Sequence, residues 1–375
     1  MFKYHCLNAI SEVGLREFTG DYNKVEDINE AEAVLVRSAA MHDMQFEKEL
    51  RAIARAGAGV NNIPLDRCAE EGIVVFNTPG ANANAVKELV LMGMLMAYRH
   101  GYEAASWVKE NKADADIATT TEKAKKAYGG NEIFGKTIGI IGMGAIGMKI
   151  AQSCMALGMD VVGYDAFPIP EARLALIPGA KIVNTMEEVY TNCDFLTIHV
   201  PLNDSTKGMI NAETIAKMRD GVVVMNFARG GLINNADMAV ALKEGKVRSY
   251  VCDFPDAEVA NMEGALVLPH LGASTDEAEE NCAAMAVKQV REFFENGNIV
   301  NSVNYPNLSM ERAGKNRICI LFKGESILDK VTVNAKASKE AVKGAFGYAI
   351  IDTDEDACPC CIKTDDMLRV TVING

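Results

Sequence analysis

The segment Gly142-Met143-Gly144-Ala145-Ile146-Gly147 limits the folds open to this chain more than any other stretch. It follows the β-branched run Ile138-Gly139-Ile140-Ile141 and opens a helical pattern from Ala145 to Leu157. Eighteen residues beyond its last glycine, at the end of the next apolar run, stands Asp165. Glycines so placed let backbone N–H groups approach a pyrophosphate, and the following helix turns its N-terminus toward the anion. An acidic residue closing the second strand accepts hydrogen bonds from ribose hydroxyls and repels a 2′-phosphate. The pattern predicts an NAD-binding strand–turn–helix–strand unit, with Gly142, Gly144, Ala145, Ile146 and Gly147 at the pyrophosphate and Asp165 at the ribose.

The alternation of strand and helix continues on both sides. Short Val/Ile/Leu runs stand at Thr137–Gly142, Asp160–Asp165, Ala180–Val183, Phe195–Val200, Val222–Phe227, Tyr250–Phe254 and Leu266–Pro269. Such runs mark strands covered on both faces, and helices between them imply parallel crossovers. Weaker runs at Ala33–Val36, Arg51–Ala56 and Ile73–Asn77 repeat the pattern in the first 80 residues. Long helices are expected from Asn84 to about Arg99 and from Ser274 to Gly297, the second opened by a capping box of Ser274 with Glu277. They enter and leave the central block, so that block reads as an insertion. Residues 1–98 and 275–310 would form a discontinuous substrate-binding domain and 99–274 the cofactor domain. The expected class is α/β: a doubly wound parallel sheet of Rossmann type inserted into a flavodoxin-like one. Residues 315–375 are left as a third, small module behind a linker at 310–316.

Composition excludes several partners. The 375 residues carry 38 Lys+Arg against 51 Asp+Glu, a net charge of −13, with 49% hydrophobic residues. An acidic, evenly mixed chain of this kind argues against nucleic acid and anionic membrane surfaces. The longest apolar stretch, Leu89 to Tyr98, is half of the about twenty residues a bilayer requires. No secretory signal is read at the N-terminus. Cys6, Cys68, Cys154, Cys193, Cys252 and Cys282 are scattered singly, as free thiols of a cytoplasmic protein are. Cys358-Pro359-Cys360-Cys361 could bind a soft metal or act as a thiol switch, but with no second Cys/His pair near it a solvent-facing loop of thiols is the better reading. No spacing in the central block fits a metal site.

Three segments just past strand ends carry the chemistry: Asn226-Phe227-Ala228-Arg229-Gly230-Gly231, Asp253 with Glu258, and Pro269-His270-Leu271-Gly272. An arginine can hold a carboxylate in two parallel hydrogen bonds, and a histidine can exchange the proton of a 2-hydroxyl while a hydride leaves. A carboxylate behind the histidine keeps its imidazolium available.

With these segments the chain resembles the D-2-hydroxyacid dehydrogenase family, most closely its phosphoglycerate-specific branch, through nearly all of residues 33–306. The resemblance includes Val36-Arg37-Ser38, Arg55-Ala56-Gly57-Ala58-Gly59-Val60-Asn61-Asn62-Ile63, Asn77-Thr78-Pro79-Gly80-Ala81-Asn82, His199-Val200-Pro201-Leu202 with Thr206, and Asn296-Gly297-Asn298-Ile299-Val300-Asn301-Ser302-Val303-Asn304. It implies that Arg229 binds and polarises the substrate carboxylate, that His270 is the acid–base with Glu258 as its partner, and that Asp253 contacts the nicotinamide carboxamide. The family proline after that glutamate is replaced by Val259, which leaves Asp256 as a competitor to Glu258. His199, Val200, Pro201, Thr206, Ala228 and Gly272 would border the cofactor, with a structural role for His199 equally open. Arg37, Ser38, Arg55, Gly57 and Asn82 would bind substrate, the two arginines meeting a phosphate dianion. Lys125 either reaches a neighbouring subunit's site or stands in a solvated basic turn. The implied activity is NAD-dependent oxidation of a small phosphorylated hydroxy acid by a homodimer or homotetramer, in amino-acid biosynthesis. An unphosphorylated-acid reductase and a non-enzymatic NAD-sensing corepressor are the alternatives. Residues 315–375 resemble a shortened ACT-like module lacking the effector-binding turn, so altered or lost serine feedback and a dimerisation role are expected of it.

Overall fold

The computed structural model describes residues 1–356 and 365–375, so Cys358, Cys360 and Cys361 lie outside the described residues. It divides into two compact units, Met1–Asn82 with Asp276–Gly375, and Ala83–Thr275.

In the first unit five parallel strands form one sheet: β1 (Phe2–Cys6), β2 (Tyr22–Lys24), β3 (Ala33–Val36), β4 (Ala52–Arg55) and β5 (Val74–Phe76). Their order, β2-β1-β3-β4-β5, is that of a flavodoxin-like doubly wound sheet. β3 and the first three residues of β4 are buried, and Val34, Val36 and Ile53 serve a core opposite that of Ala33, Leu35 and Ala54. Burial on both faces is why these strands carry no polar alternation. The Asp276–Asn296 helix packs Ala283, Ala286, Val287, Val290, Phe293 and Phe294 into the second of these cores. It starts later than a box anchored on Ser274 would have it, because the Ser274 N–H closes a turn onto the Leu271 carbonyl (3.0 Å). Gly14 permits the closest approach to it: a Cβ there would lie 2.3 Å from Ala283 Cβ.

The second unit holds seven parallel strands: β6 (Thr137–Ile141), β7 (Asp160–Tyr164), β8 (Lys181–Ile182), β9 (Phe195–Ile198), β10 (Val222–Asn226), β11 (Val247–Cys252) and β12 (Ala265–Val267). They lie in the order β12-β11-β10-β9-β6-β7-β8. The strand order reverses between β6 and β9, the place where doubly wound sheets bind ligands at their carboxyl ends. The Ala83–Arg99 helix puts Val86, Val90, Met94 and Tyr98 into the core of this sheet with Ile138, Phe195 and Val251. The chain therefore passes between units at 82/83, earlier than the 98/99 boundary expected from sequence.

After the long helix, β13 (Asn316–Lys323), β14 (Ala335–Lys343), β15 (Phe346–Thr353) and β16 (Met367–Asn374) form an antiparallel sheet in the order β14-β15-β13-β16. One face, with Cys319, Leu321, Tyr348 and Ile350, joins the core of the long helix, and the other buries Ile318, Ile320, Phe322 and Ile351. This sheet belongs to the first unit. Segment 310–316 is bound rather than free: the Ala313 N–H donates to Asp352 (2.7 Å) and Arg312 to the carbonyls of Lys315 and Ile373. No helix among the described residues is long and apolar enough to cross a membrane.

Candidate active site

The glycine turn follows β6 directly. Gly142 has φ +96°, and a Cβ there would stand 2.5 Å from the His199 carbonyl oxygen, so only glycine fits beside the end of β9. A Cβ on Gly147 would meet the Gly142 oxygen at 2.2 Å, which keeps the Ala145–Ala156 helix tight against the turn. A Cβ on Gly144 would meet nothing within 4 Å. Open space at the helix N-terminus beside two sterically locked glycines is the cradle a pyrophosphate requires. Asp165 sets the shape of this turn: its carboxylate accepts from the Met143 N–H (2.8 Å) and the Phe167 N–H (3.0 Å). The residues present fit NAD.

His199 donates its N–H to the Ile141 carbonyl (2.7 Å), and its Nε2 lies 2.8 Å from Thr197 Oγ1. Burial lowers the ring's pKa to about 3, so the imidazole is neutral. Its Nδ1 is buried without a partner among the described residues. Thr206 ties the following loop, its hydroxyl donating to the Pro201 carbonyl (2.7 Å). Val200 is half-buried and Pro201 exposed beside it.

Arg229, Asp253 and His270 converge past the ends of β10, β11 and β12. Asn226, buried at the end of β10, shapes the arginine loop: its side chain donates to the Arg229 carbonyl (2.8 Å) and accepts from the Ala228 N–H (3.1 Å). The exposed Arg229 guanidinium donates to the Ala228 carbonyl (2.7 Å). Asp253 is fully buried; one carboxylate oxygen accepts from the Gly272 N–H (2.8 Å) and the other has no partner among the described residues. Burial raises its pKa, against the Gly272 N–H and the nearby His270 and Arg229, which lower it. His270 is held at φ +33°, rarely adopted outside glycine, by its N–H on the Asp253 carbonyl (2.9 Å), and its ring packs on Phe254 (centroids 4.9 Å apart).

Glu258 is placed elsewhere. It is exposed, lies 3.4 Å from Asn235 Nδ2 in a groove along the Asn235–Lys243 helix, and has no hydrogen bond to His270. Asp256 accepts from the N–H groups of Glu258 (2.9 Å) and Val259 (2.7 Å), capping the turn at Val259–Asn261. Of the three carboxylates after β11, Asp253 is the one the backbone ties to His270. Lys125 is exposed and paired with Glu122.

In the first unit the substrate-loop arginines are neighbours. Arg55 Nε donates to the Arg37 carbonyl (3.0 Å), and a second Arg55 nitrogen donates to the Gly59 carbonyl. A Cβ on Gly57 would stand 3.0 Å from the Arg55 guanidinium, so the side chain lies across that glycine. Arg37 pairs with Glu279 at 2.6 Å, each about 40% exposed. The Asn8 side-chain oxygen gathers the N–H groups of Arg37, Ser38 and Ala39 at 3.0–3.1 Å and folds their loop. Asn82 ends this unit's first segment. Asn8, Asn226, Phe254 and Glu279 were not singled out by sequence. Asn226 opens the Asn226–Gly231 segment, whereas Asn8 acts on residues 29–31 positions away and has no local signal.

Residues 91–272 match the family model "D-isomer specific 2-hydroxyacid dehydrogenase, NAD binding domain". A hydroxypyruvate reductase of Thermotoga maritima is 36% identical over 70% of this chain and 85% of its own length. A D-3-phosphoglycerate dehydrogenase of Methanocaldococcus jannaschii is 33% identical over 83% of this chain and 59% of its own length. The NAD⁺-bound 3-phosphoglycerate dehydrogenase structure from Entamoeba histolytica superposes with a TM-score of 0.66 at 27% identity, covering 82% of this chain and 99% of that one. The chain belongs to the D-2-hydroxyacid dehydrogenase family and carries its NAD-binding domain. It spans little more than half the length of the curated phosphoglycerate dehydrogenases it matches.

Proposed function

We propose that the chain is an NAD-dependent D-2-hydroxyacid dehydrogenase that oxidises D-3-phosphoglycerate to 3-phosphohydroxypyruvate, the first step of serine synthesis. The observation that carries the chemistry is the buried Asp253 carboxylate with one unpartnered oxygen, near enough to His270 and Arg229 at the strand ends to feel both. NAD, when bound, supplies the acceptor for the hydride that leaves C2. Arg229 holds the substrate carboxylate and polarises the neighbouring C2 oxygen. His270 takes the C2 hydroxyl proton as the C2–H electron pair departs, and returns it in the reverse direction. The open oxygen of Asp253 accepts from the nicotinamide carboxamide and fixes the ring face.

The phosphate reading rests on Arg37 and Arg55, whose loops are tied by the Arg55 Nε bond to the Arg37 backbone carbonyl. Lys125 is assigned no part in it. The antiparallel sheet β13–β16 is read as a divergent ACT-like module that aids assembly into a homodimer or homotetramer in the cytoplasm.

A second reading, reduction of an unphosphorylated acid such as hydroxypyruvate or glyoxylate, is favoured by the Arg37–Glu279 ion pair and by the commitment of Arg55 to two carbonyls. NADH formation over a panel of 2-hydroxy acids decides between them. Phosphoglycerate should be preferred, and Arg37→Ala should raise its KM about tenfold or more, the worth of one charge-assisted contact, while leaving glycerate unchanged. Equal loss with both acids would exclude the phosphate role. Normal NAD binding without turnover on any acid would leave the corepressor-like reading.

A further inference from the structure

In the first unit a small cavity lies beside the face of the antiparallel sheet that joins the core of the long helix. Its volume is about 10 Å³, room for one water-sized body. Arg51, Arg369, Tyr348, Cys319 and Thr371 supply its polar wall, and Phe293 closes the helix side.

Neither cation on this wall has a carboxylate within hydrogen-bond reach among the described residues. The Arg51 side chain is only 12% exposed, its nearest carboxylate is Glu32 at 3.7 Å, and its buried Nε has no hydrogen-bond partner among the described residues. Arg369 spends Nε on the Gly72 carbonyl (2.9 Å) and Nη2 on the Leu50 carbonyl (2.8 Å). Among the described residues no carboxylate lies within 4 Å of it. Tyr348 and Cys319 add no negative charge: burial holds the tyrosine well above its ordinary pKa and pushes the thiol up to about 11. Burial lowers the pKa of both guanidinium groups, and Arg51 lowers that of Arg369 further. The Arg317–Asp352 pair is close by but neutralises itself. Two half-buried guanidinium groups thus face one small space, with Glu32 acting on Arg51 and the exposed Glu49 on Arg369 only from a distance. Arg51 also rests on the Phe294 ring, 4.2 Å from its centre. Cations drawn partly out of water gain from an opposite charge set between them.

We infer that this cavity is a binding site for one halide-sized anion, chloride in solution, held between Arg51 and Arg369 with Thr371 as a hydroxyl donor. Its volume suits a single-atom anion better than phosphate or a carboxylate. The anion stitches β16 to the start of β4, the strand that ends in Arg55.

Thermal unfolding of the full chain in chloride or bromide, against gluconate at matched ionic strength, tests this together with anomalous diffraction from bromide-soaked crystals. The expected result is a saturating, halide-specific rise in the unfolding midpoint and one bromide peak in the cavity. Thr371→Val, which keeps the shape and removes one donor, should need about fivefold more halide for half the rise. Arg369→Met should abolish the rise; if that variant does not fold, Thr371→Val still decides. Equal midpoints in halide and gluconate overturn the inference. So does an unchanged half-point in Thr371→Val, and so does a bromide peak without a shift in midpoint, which marks an adventitious ion only.

Discussion

Arg317 and Asp352 offer the sharpest test of how the C-terminal sheet is held. The two face each other across β13 and β15, with side chains 1% and 0% exposed, and meet through paired bonds of 2.7 and 2.8 Å. The third guanidinium nitrogen donates to the Asn296 carbonyl (2.7 Å) at the end of the long helix, and the Ala313 N–H completes the carboxylate's shell (2.7 Å). Every group in the network is matched, so removing one partner strands a full charge in the interior. Asp352→Asn should therefore lower unfolding stability by about 3–5 kcal/mol, a large share of the about 5–15 kcal/mol typical of a domain. The paired replacement Arg317→Met/Asp352→Leu removes both charges and should recover most of that loss. Urea unfolding followed by circular dichroism, with the slope against denaturant checked for constancy, measures both. A loss under about 1 kcal/mol for the single variant, or a double variant as unstable as the single one, would refute the reasoning. The pH dependence carries a second reading of the same pair. Burial raises the Asp352 pKa, but the Arg317 bonds and the Ala313 N–H outweigh it and hold the carboxyl below its ordinary value. A depressed folded-state pKa adds stability above the unfolded value of about 3.9 and loses it as pH falls through the folded value. The acid limb of the stability profile below about pH 4 should flatten in the double variant.

Two further outcomes concern the active site. Gly142→Ala puts a Cβ 2.5 Å from the His199 oxygen at φ +96°, and should weaken NAD binding at least about tenfold by calorimetry, since a left-handed residue with a side chain is strained by roughly 1–2 kcal/mol before any clash; unchanged affinity would mean the turn does not hold the pyrophosphate. His270→Asn should lower kcat about 10²–10⁴-fold while the NAD dissociation constant stays within about twofold, and a kcat within about threefold of the parent would remove His270 from the proton transfer.

The parts of this molecule legible in its sequence are those whose physics is local. Gly142, Gly147 and Asp165 act on backbone a few residues to either side or one strand away, so spacing alone locates them. β3, β4, β6, β9 and β10 are buried on both faces and announce themselves as apolar runs. β14 is mostly exposed at a sheet edge and reads Ala-Lys-Ala-Ser-Lys-Glu-Ala-Val-Lys, which has no such run. It pairs because β15 presents a full row of backbone partners from Phe346 to Thr353. The Ala83–Arg99 helix shows the same limit differently: its apolar face was evident, but which sheet it covers is decided by Ile138, Phe195 and Val251, far along the chain.

Glu258 makes the limit chemical. Its five-residue spacing from Asp253 is a count along the chain, whereas its direction depends on the backbone between them. In that stretch Asp256 caps the turn at Val259–Asn261, and the Glu258 carboxylate meets Asn235 instead of His270. The histidine is left with Asp253, whose backbone carbonyl fixes it in a left-handed conformation and whose buried carboxylate lies close enough to feel its charge. A conformation that L-residues adopt reluctantly persists only where surrounding bonds over-determine it, and such positions gather at functional sites. The strain at His270 and the open oxygen of Asp253 thus mark the same point by independent physics, one steric and one polar. Neither depends on where Glu258 points, so the acid–base role proposed for His270 rests on these two features and not on Glu258.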